Sequence, residues 1–138
     1  IEEDNGEWRT NIYNLPIIGA SDGGAFTTVG DLARLWDAFW GYEILSQEMV
    51  EIYTQPYVEA ESEGPNEHYG HGIWIHESKD RGRETYITGC DAGVSMKSDL
   101  IHRTDTLITV LSNTTEGAWP VLGDVYKAIE DKQCSTSC

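Results

Sequence analysis

From Gly72 onward the chain breaks into short β-rich runs joined by connections too brief to hold a helix, and this feature constrains the fold more than any other. The runs are Ile73 to His76, Glu84 to Thr88, Val94 to Ile101 and Thr106 to Ser112, with a charged turn over Glu77 to Arg83 and a polar one over His102 to Asp105. A parallel crossover needs a dozen or more residues, so runs this close in sequence are expected to pair as antiparallel neighbours in a meander. The last run, Thr106-Leu107-Ile108-Thr109-Val110-Leu111, is apolar on both faces, which predicts a central strand covered on each side.

Upstream the period changes. Val29, Leu32, Ala33, Trp36, Phe39 and Trp40 recur at helical spacing on one face. Thr28 is placed to cap this helix, Asp31 three residues on completes a capping box, and Gly41 suits a left-handed stop. A shorter helix should follow Ser46 as N-cap, with Leu45 and Val50 as a hydrophobic staple, and should end before Pro56. Residues 59–68 read as an acidic solvated loop. After Asn113 to Gly117 comes a terminal helix with Trp119, Leu122, Tyr126 and Ile129 on one stripe and Val125 beside it. Pro120 is tolerated in its first turn, Gly123 weakens its interior, and Gln133 to Cys138 should fray. Ile12 to Ala25 is apolar but broken by Pro16, Gly19, Gly23 and Gly24, which predicts an irregular, partly buried lead-in. The fold class is therefore α+β, an antiparallel β-meander packed against helices, in one segment over residues 1–138 with its core at about 12–130.

Charge narrows the possible partners. Nine basic residues against 24 acidic ones give a formal charge of −15, and a nucleic-acid backbone would be repelled. The acidity is concentrated in residues 1–67, which hold 14 acids and 2 bases, against 10 and 7 in residues 68–138. Such asymmetry governs solubility and repulsion more than chemistry. No apolar run approaches the roughly 20 residues needed to span a bilayer, so no membrane span and a soluble chain are expected. The cysteines, Cys90, Cys134 and Cys138, are an odd number without a dense framework. Reduced thiols are the expectation, which favours a cytoplasmic setting.

Candidate chemistry is sparse. His68, His71 and His76 match no zinc spacing, and Cys134 with Cys138 has no second pair to complete four ligands, so neither a metal nor any other cofactor is expected. The informative stretch is Tyr86-Ile87-Thr88-Gly89-Cys90-Asp91-Ala92-Gly93-Val94-Ser95, in which one strand ends in a glycine-flanked loop and another begins. Glycines there let backbone amides approach a ligand, while the same pattern also suits an ordinary β connection. Cys90 as a nucleophile would need a cationic neighbour or a histidine partner, and none is legible, so an inert or modestly reactive thiol is the expectation.

The order of these features resembles one family. Gly23-Gly24-Ala25-Phe26-Thr27-Thr28 runs into the Asp31-Leu32-Ala33 helix, and the Leu45-Ser46 helix start and Tyr69-Gly70-His71-Gly72-Ile73-Trp74 follow. Then come Thr88-Gly89 with Asp91-Ala92-Gly93-Val94-Ser95, and a strand ending Leu111-Ser112-Asn113. This succession, over residues 12–130, resembles the C-terminal part of the serine β-lactamase-like family: class C β-lactamases, penicillin-binding proteins and related esterases. The resemblance implies a partial β-lactamase/transpeptidase-like fold. It also implies a parent that acylates a serine with an amide or ester and then hydrolyses or transfers the acyl group.

The family's nucleophile lies in a Ser-x-x-Lys motif, its second motif is Tyr-x-Asn or similar, and its third is Lys or His followed by Thr or Ser and Gly. No serine here has a lysine three residues on, and no tyrosine begins a Tyr-x-Asn. Only the third motif has a place, as Ile87-Thr88-Gly89, with Ile87 where the family has Lys or His. The resemblance implies a backbone role for the Cys90 N–H as an oxyanion donor beside Thr88 and Gly89, with Ile87 and Asp91 on the substrate side. It further implies that the nucleophile is absent from this chain, that the chain alone is inactive, and that its partner is the missing N-terminal half of the domain. Strands of that half would pair with Thr106 to Ser112, so without them this strand is an edge open to a homodimer. The rival reading is a free-standing, non-enzymatic binding or dimerisation module.

Overall fold

Thr28 begins the first helix as its sequence requires. The computed structural model describes residues 5–14, 16–20, 23–60 and 64–135, and in it helix α1 spans Val29–Trp40. The Thr28 hydroxyl accepts from the Asp31 N–H at 3.1 Å, and the Asp31 carboxylate accepts from the Thr28 N–H at 3.2 Å, so the capping box forms. At the other end Glu43 N–H reaches the Ala38 carbonyl and Tyr42 N–H reaches that of Phe39, at 2.9 and 3.2 Å. These two bonds make a Schellman motif. The left-handed residue is therefore Tyr42, with φ 61°, and not the expected Gly41, which is right-handed at φ −76°. Gly41 serves closeness instead, since a Cβ there would lie 2.7 Å from the Asp37 carbonyl oxygen.

Helix α2, Gln47–Tyr53, starts at Ser46, whose hydroxyl accepts from the Met49 N–H, and it ends before Pro56. Leu45 and Val50, the two ends of the staple, both join the core. The strands follow as β1 (Val58–Glu59), β2 (Glu67–Tyr69), β3 (Trp74–Ser78), β4 (Gly82–Asp91), β5 (Val94–Ile101) and β6 (Thr106–Ser112), and helix α3 (Ala118–Ser135) closes the chain. They form one six-stranded sheet in the order β1-β2-β3-β4-β5-β6, the expected meander. Register is set by pairs such as Val58↔Tyr69, Glu67↔His76 and Trp74↔Tyr86.

Several expectations are corrected. Part of the acidic stretch is strand, because Glu59 pairs with His68 and Glu67 with His76, while Glu61, Ser62 and Glu63 lie outside the described residues. Strand β4 does not stop at Thr88. It continues through Gly89, Cys90 and Asp91, and the connection to β5 shrinks to Ala92-Gly93. Strand β6 is not central: it stands last in the sheet order, and of its residues only Ile108 is buried. The lead-in is irregular, as expected, yet exposed. Ile12, Tyr13, Ile17, Ile18 and Phe26 all face solvent, with Ile17 at 102% relative exposure. Leu15, Ser21 and Asp22 of that segment lie outside the described residues. At the C-terminus the helix runs to Ser135, past the expected fraying point, and Thr136 to Cys138 lie outside the described residues. Among the described residues no helix is long and apolar enough to cross a membrane.

Two compact units are present. One holds Thr27–Thr88 and Lys97–Thr109. Its core is Trp36, Phe39, Val50 and Ile73, with Trp40, Leu45, Tyr53, Ile87 and Leu107 packed against it. Trp36 and Phe39 meet edge to face at 6.1 Å, as do Phe39 and Trp40 at 5.3 Å. The other unit holds Gly89–Met96 and Val110–Cys138 together with the residues before Thr27. There Leu122 and Ala118 of α3 are buried, and Trp119, Val125, Tyr126 and Ile129 are half-buried on the predicted stripe.

Candidate functional site

The connection between β4 and β5 is fixed from both flanks. Gly93 takes φ 79°, a conformation that L side chains rarely adopt, and a Cβ there would sit 3.1 Å from Asn11 Nδ2. Asn11 Nδ2 donates to the Ala92 carbonyl at 3.1 Å, and the Gly93 N–H donates to Thr115 Oγ1 at 2.9 Å. Ser95, fully buried at the start of β5, donates to the Thr114 carbonyl at 2.8 Å and accepts from the Ala118 N–H at 3.1 Å. That last bond satisfies an amide in the first turn of α3, which would otherwise lack a partner within the helix. A β-strand serine thus caps the terminal helix.

On β4 the residues of the third motif divide. Ile87 is half-buried and packs against the core of Trp36, Phe39, Val50 and Ile73, so its side chain is committed to packing. Thr88, Gly89, Cys90 and Asp91 are exposed in succession. Asp91 Oδ1 accepts from the Ala92 N–H at 2.6 Å. Cys90 Sγ donates to the Thr115 carbonyl at 3.4 Å. The row therefore presents a hydroxyl, a glycine backbone, a thiol and a carboxylate.

The three histidines considered as ligands are dispersed. His71 lies against the rings of Tyr53 and Tyr57, at 5.6 and 4.7 Å between centroids. His76 Nδ1 is 2.9 Å from Glu67 Oε1, and His68 pairs across the sheet with Glu59 and Ile75. Among the described residues no cluster of three His, Cys, Asp or Glu side chains could hold a metal.

One polar cluster escaped the sequence reading. Tyr86 OH donates to Glu67 Oε2 at 2.9 Å, Lys97 Nζ lies 3.7 Å from the centre of the Tyr86 ring and 3.7 Å from Asp99 Oδ2, and Arg81 Nε donates to Glu84 Oε1 at 2.7 Å. Glu84 and Asp99 are buried, so their charges need these cations. The available signal was the alternation Trp74/His76, Glu84/Tyr86 and Lys97/Asp99, which places each pair on one face of its strand.

No protein-family model and no curated protein matches the sequence. Among solved structures, the penicillin binding protein from Bacillus halodurans is similar at a TM-score of 0.85 and 31% sequence identity. The match covers 93% of this chain and 38% of that one, so the chain spans well under half the length of its structural neighbour. The six-stranded antiparallel sheet and its helices are thus the fold of a part of a penicillin-binding-protein-like molecule.

Proposed function

We propose that this chain is the C-terminal part of a β-lactamase-like serine hydrolase, of the kind that forms an acyl-serine from an amide or ester. The observation that carries this is the agreement at TM-score 0.85 over 93% of the chain, against only 38% of the neighbour. In this reading Thr88, Gly89 and the Cys90 N–H form the oxyanion side of the site, a role for backbone donors that does not depend on the Cys90 side chain. Asp91 stands at the substrate side, and Ile87 holds the strand against the core. The nucleophile comes from outside the chain, because no Ser-x-x-Lys occurs in it. The partner is the rest of the domain, and the chain alone is inactive.

A second reading, a free-standing binding module, draws support from the exposed apolar side chains Ile12, Tyr13, Ile17, Ile18 and Phe26, all in one stretch of the chain before α1. One experiment separates the two. The purified chain is assayed with a chromogenic β-lactam and a short-chain ester, alone and mixed with a polypeptide that supplies the remaining part of the fold and a Ser-x-x-Lys. Turnover only in the mixture supports the hydrolase reading, and no turnover in either supports the binding module. Turnover by the chain alone, abolished by a fluorophosphonate that labels one of its own serines, overturns the claim that the nucleophile lies elsewhere.

A further inference from the structure

Strand β4 outruns β3. Their pairing ends at Trp74↔Tyr86, whereas β4 continues to Asp91, so the tip that carries Gly89, Cys90 and Asp91 lies beyond the β3 ladder. On the other side, the two-residue Ala92-Gly93 connection makes Asp91 and Val94 the closing pair of a hairpin with β5. Backbone groups alternate from one edge of a strand to the other, so the Cys90 N–H points away from β5, on the side where the β3 pairing has ended. The ladder therefore holds this tip from one side, and a second hold comes from the turn after β6.

That hold is Thr115. Its hydroxyl accepts from the Gly93 N–H at 2.9 Å and its carbonyl accepts from Cys90 Sγ at 3.4 Å, so one residue grips the bend at both ends. Gly93 is buried, and its N–H belongs to the connection rather than to either strand. A buried donor deprived of its acceptor costs more than the bond contributes, which makes the hydroxyl the stronger of the two holds. The turn that presents Thr115 is itself braced. Ser112 Oγ accepts from the Thr114 N–H at 3.2 Å, and a Cβ at Gly117 would collide with Ser112 Oγ. Ser95 then ties the Thr114 carbonyl and the Ala118 N–H to the start of β5.

We propose that Thr115 is the positioning residue of this site: through the Gly93 amide, its hydroxyl sets the direction of the Cys90 N–H. This rests on the hydrolase reading, which gives that N–H to the oxyanion, and adds to it a residue that touches no substrate. An oxyanion donor works only when it is aimed closely at the place where charge develops. Asp91 and Ala92 are all that separate Cys90 from Gly93, so a shift of the connection passes to the Cys90 peptide with little to absorb it.

Thr115→Val keeps the shape of the side chain and removes the acceptor, while Thr115→Ser keeps the acceptor. In the isotopically labelled chain, Thr115→Val should speed hydrogen exchange at the Gly93 amide about tenfold, the scale of one hydrogen bond, and move the Cys90 amide resonance. Thr115→Ser should return both to the parent values. In the mixture with a polypeptide that supplies the rest of the fold and its Ser-x-x-Lys, Thr115→Val should lower kcat for a short-chain ester at least about tenfold with KM little changed, because an oxyanion donor acts in the transition state. Rates are counted per serine labelled to completion by a fluorophosphonate. A merely structural defect changes the number of labelled sites and not the rate at each, and Thr115→Ser should recover that rate. Unchanged Gly93 and Cys90 amides in Thr115→Val overturn the proposal, and so does an unchanged kcat per labelled site. A Thr115→Ser protein as impaired as Thr115→Val overturns the role of the hydroxyl. A parent mixture without turnover overturns the hydrolase reading instead, and the exchange measurement on the chain by itself then decides whether Thr115 fixes the bend.

Discussion

Trp36 donates its indole N–H to Ser98 Oγ at 2.8 Å, tying the middle of α1 to the middle of β5 across 62 positions of sequence. Both residues are buried, and Ser98 Oγ also meets Thr109 Oγ1 at 2.7 Å, so a three-residue chain of polar contacts runs from helix to β6 beneath the aromatic core. Trp36→Phe keeps much of the ring volume and removes the donor. We expect a loss of about 1–3 kcal/mol by chemical denaturation, the cost of a buried hydrogen bond broken on one side. Ser98→Ala should behave similarly, and the double variant should lose less than the sum, because the two residues share one interaction. Strict additivity would show that the indole contact carries no energy.

Ile75 and Ile17 are the same residue type in opposite settings, at 0% and 102% relative exposure. Ile75→Ala should cost about 2–5 kcal/mol, through lost transfer energy and the cavity left in the sheet. Ile17→Ala should stay within about 0.5 kcal/mol for the isolated chain. If Ile17 proves costly here, a surface that is bare in this structure is covered in solution.

Acid should destabilise the fold in a window set by His102. Burial, and then the charge of Arg83, hold its ring below the ordinary 6.5, while Asp99, Asp105 and Glu77 pull the other way. The ring meets Trp40 edge-on at 4.7 Å, and Nε2 is 2.9 Å from Thr85 Oγ1. Because the folded state favours the neutral ring, the unfolded chain binds the proton first as pH falls. The stabilisation is complete above 6.5 and drains away as pH drops from 6.5 towards the folded value. Denaturation midpoints measured across this range should fall, and His102→Gln should flatten the slope there. Asp31 adds a separate effect at lower pH. Its bonds to Thr28 and then Arg34 hold its carboxyl below 3.8, so its contribution is present above that value and is lost as pH falls through the folded one.

Cys90→Ala tests whether the thiol matters to the candidate site. Its Sγ reaches only a long contact to the Thr115 carbonyl, so stability should change by less than about 1.5 kcal/mol. If the proposed oxyanion role belongs to the Cys90 N–H, turnover restored by the rest of the fold should survive the substitution. Loss of that turnover with the fold intact would assign a role to the sulfur.

The features legible in the sequence are those whose determinants lie within a turn or two of each other. The capping box of Thr28 and Asp31, the Ser46 cap, the Leu45 and Val50 staple and the stripe of α3 each satisfy local backbone donors or bury one helical face, and a periodic sequence reports such things directly. The antiparallel meander was equally readable, since its short connections leave the chain no room to cross over.

The candidate site was only half legible. The succession Thr88-Gly89-Cys90-Asp91 located it, but its continuation as strand rather than loop follows from the two-residue Ala92-Gly93 connection that sets β4 beside β5, and no alternation of apolar and polar residues marks Thr88 to Asp91 as strand. For the Glu67, Tyr86 and Lys97 cluster, alternation along each strand gave the face, but its members come from three strands and meet only once the sheet has a register.

By itself, then, the sequence determined where the helices begin and that the strands from β3 to β6 follow one another as a meander, because these follow from bonds and connections within a few residues. The left-handed turn at Tyr42 rather than Gly41 is also local, fixed by the Glu43 to Ala38 hydrogen bond, and the glycine in the sequence pointed one position too early. Tertiary structure decided that the apolar residues of the lead-in stay in solvent and that β6 stands last in the sheet. An apolar residue states a preference for burial, and whether anything is present to bury it depends on what the rest of the fold supplies.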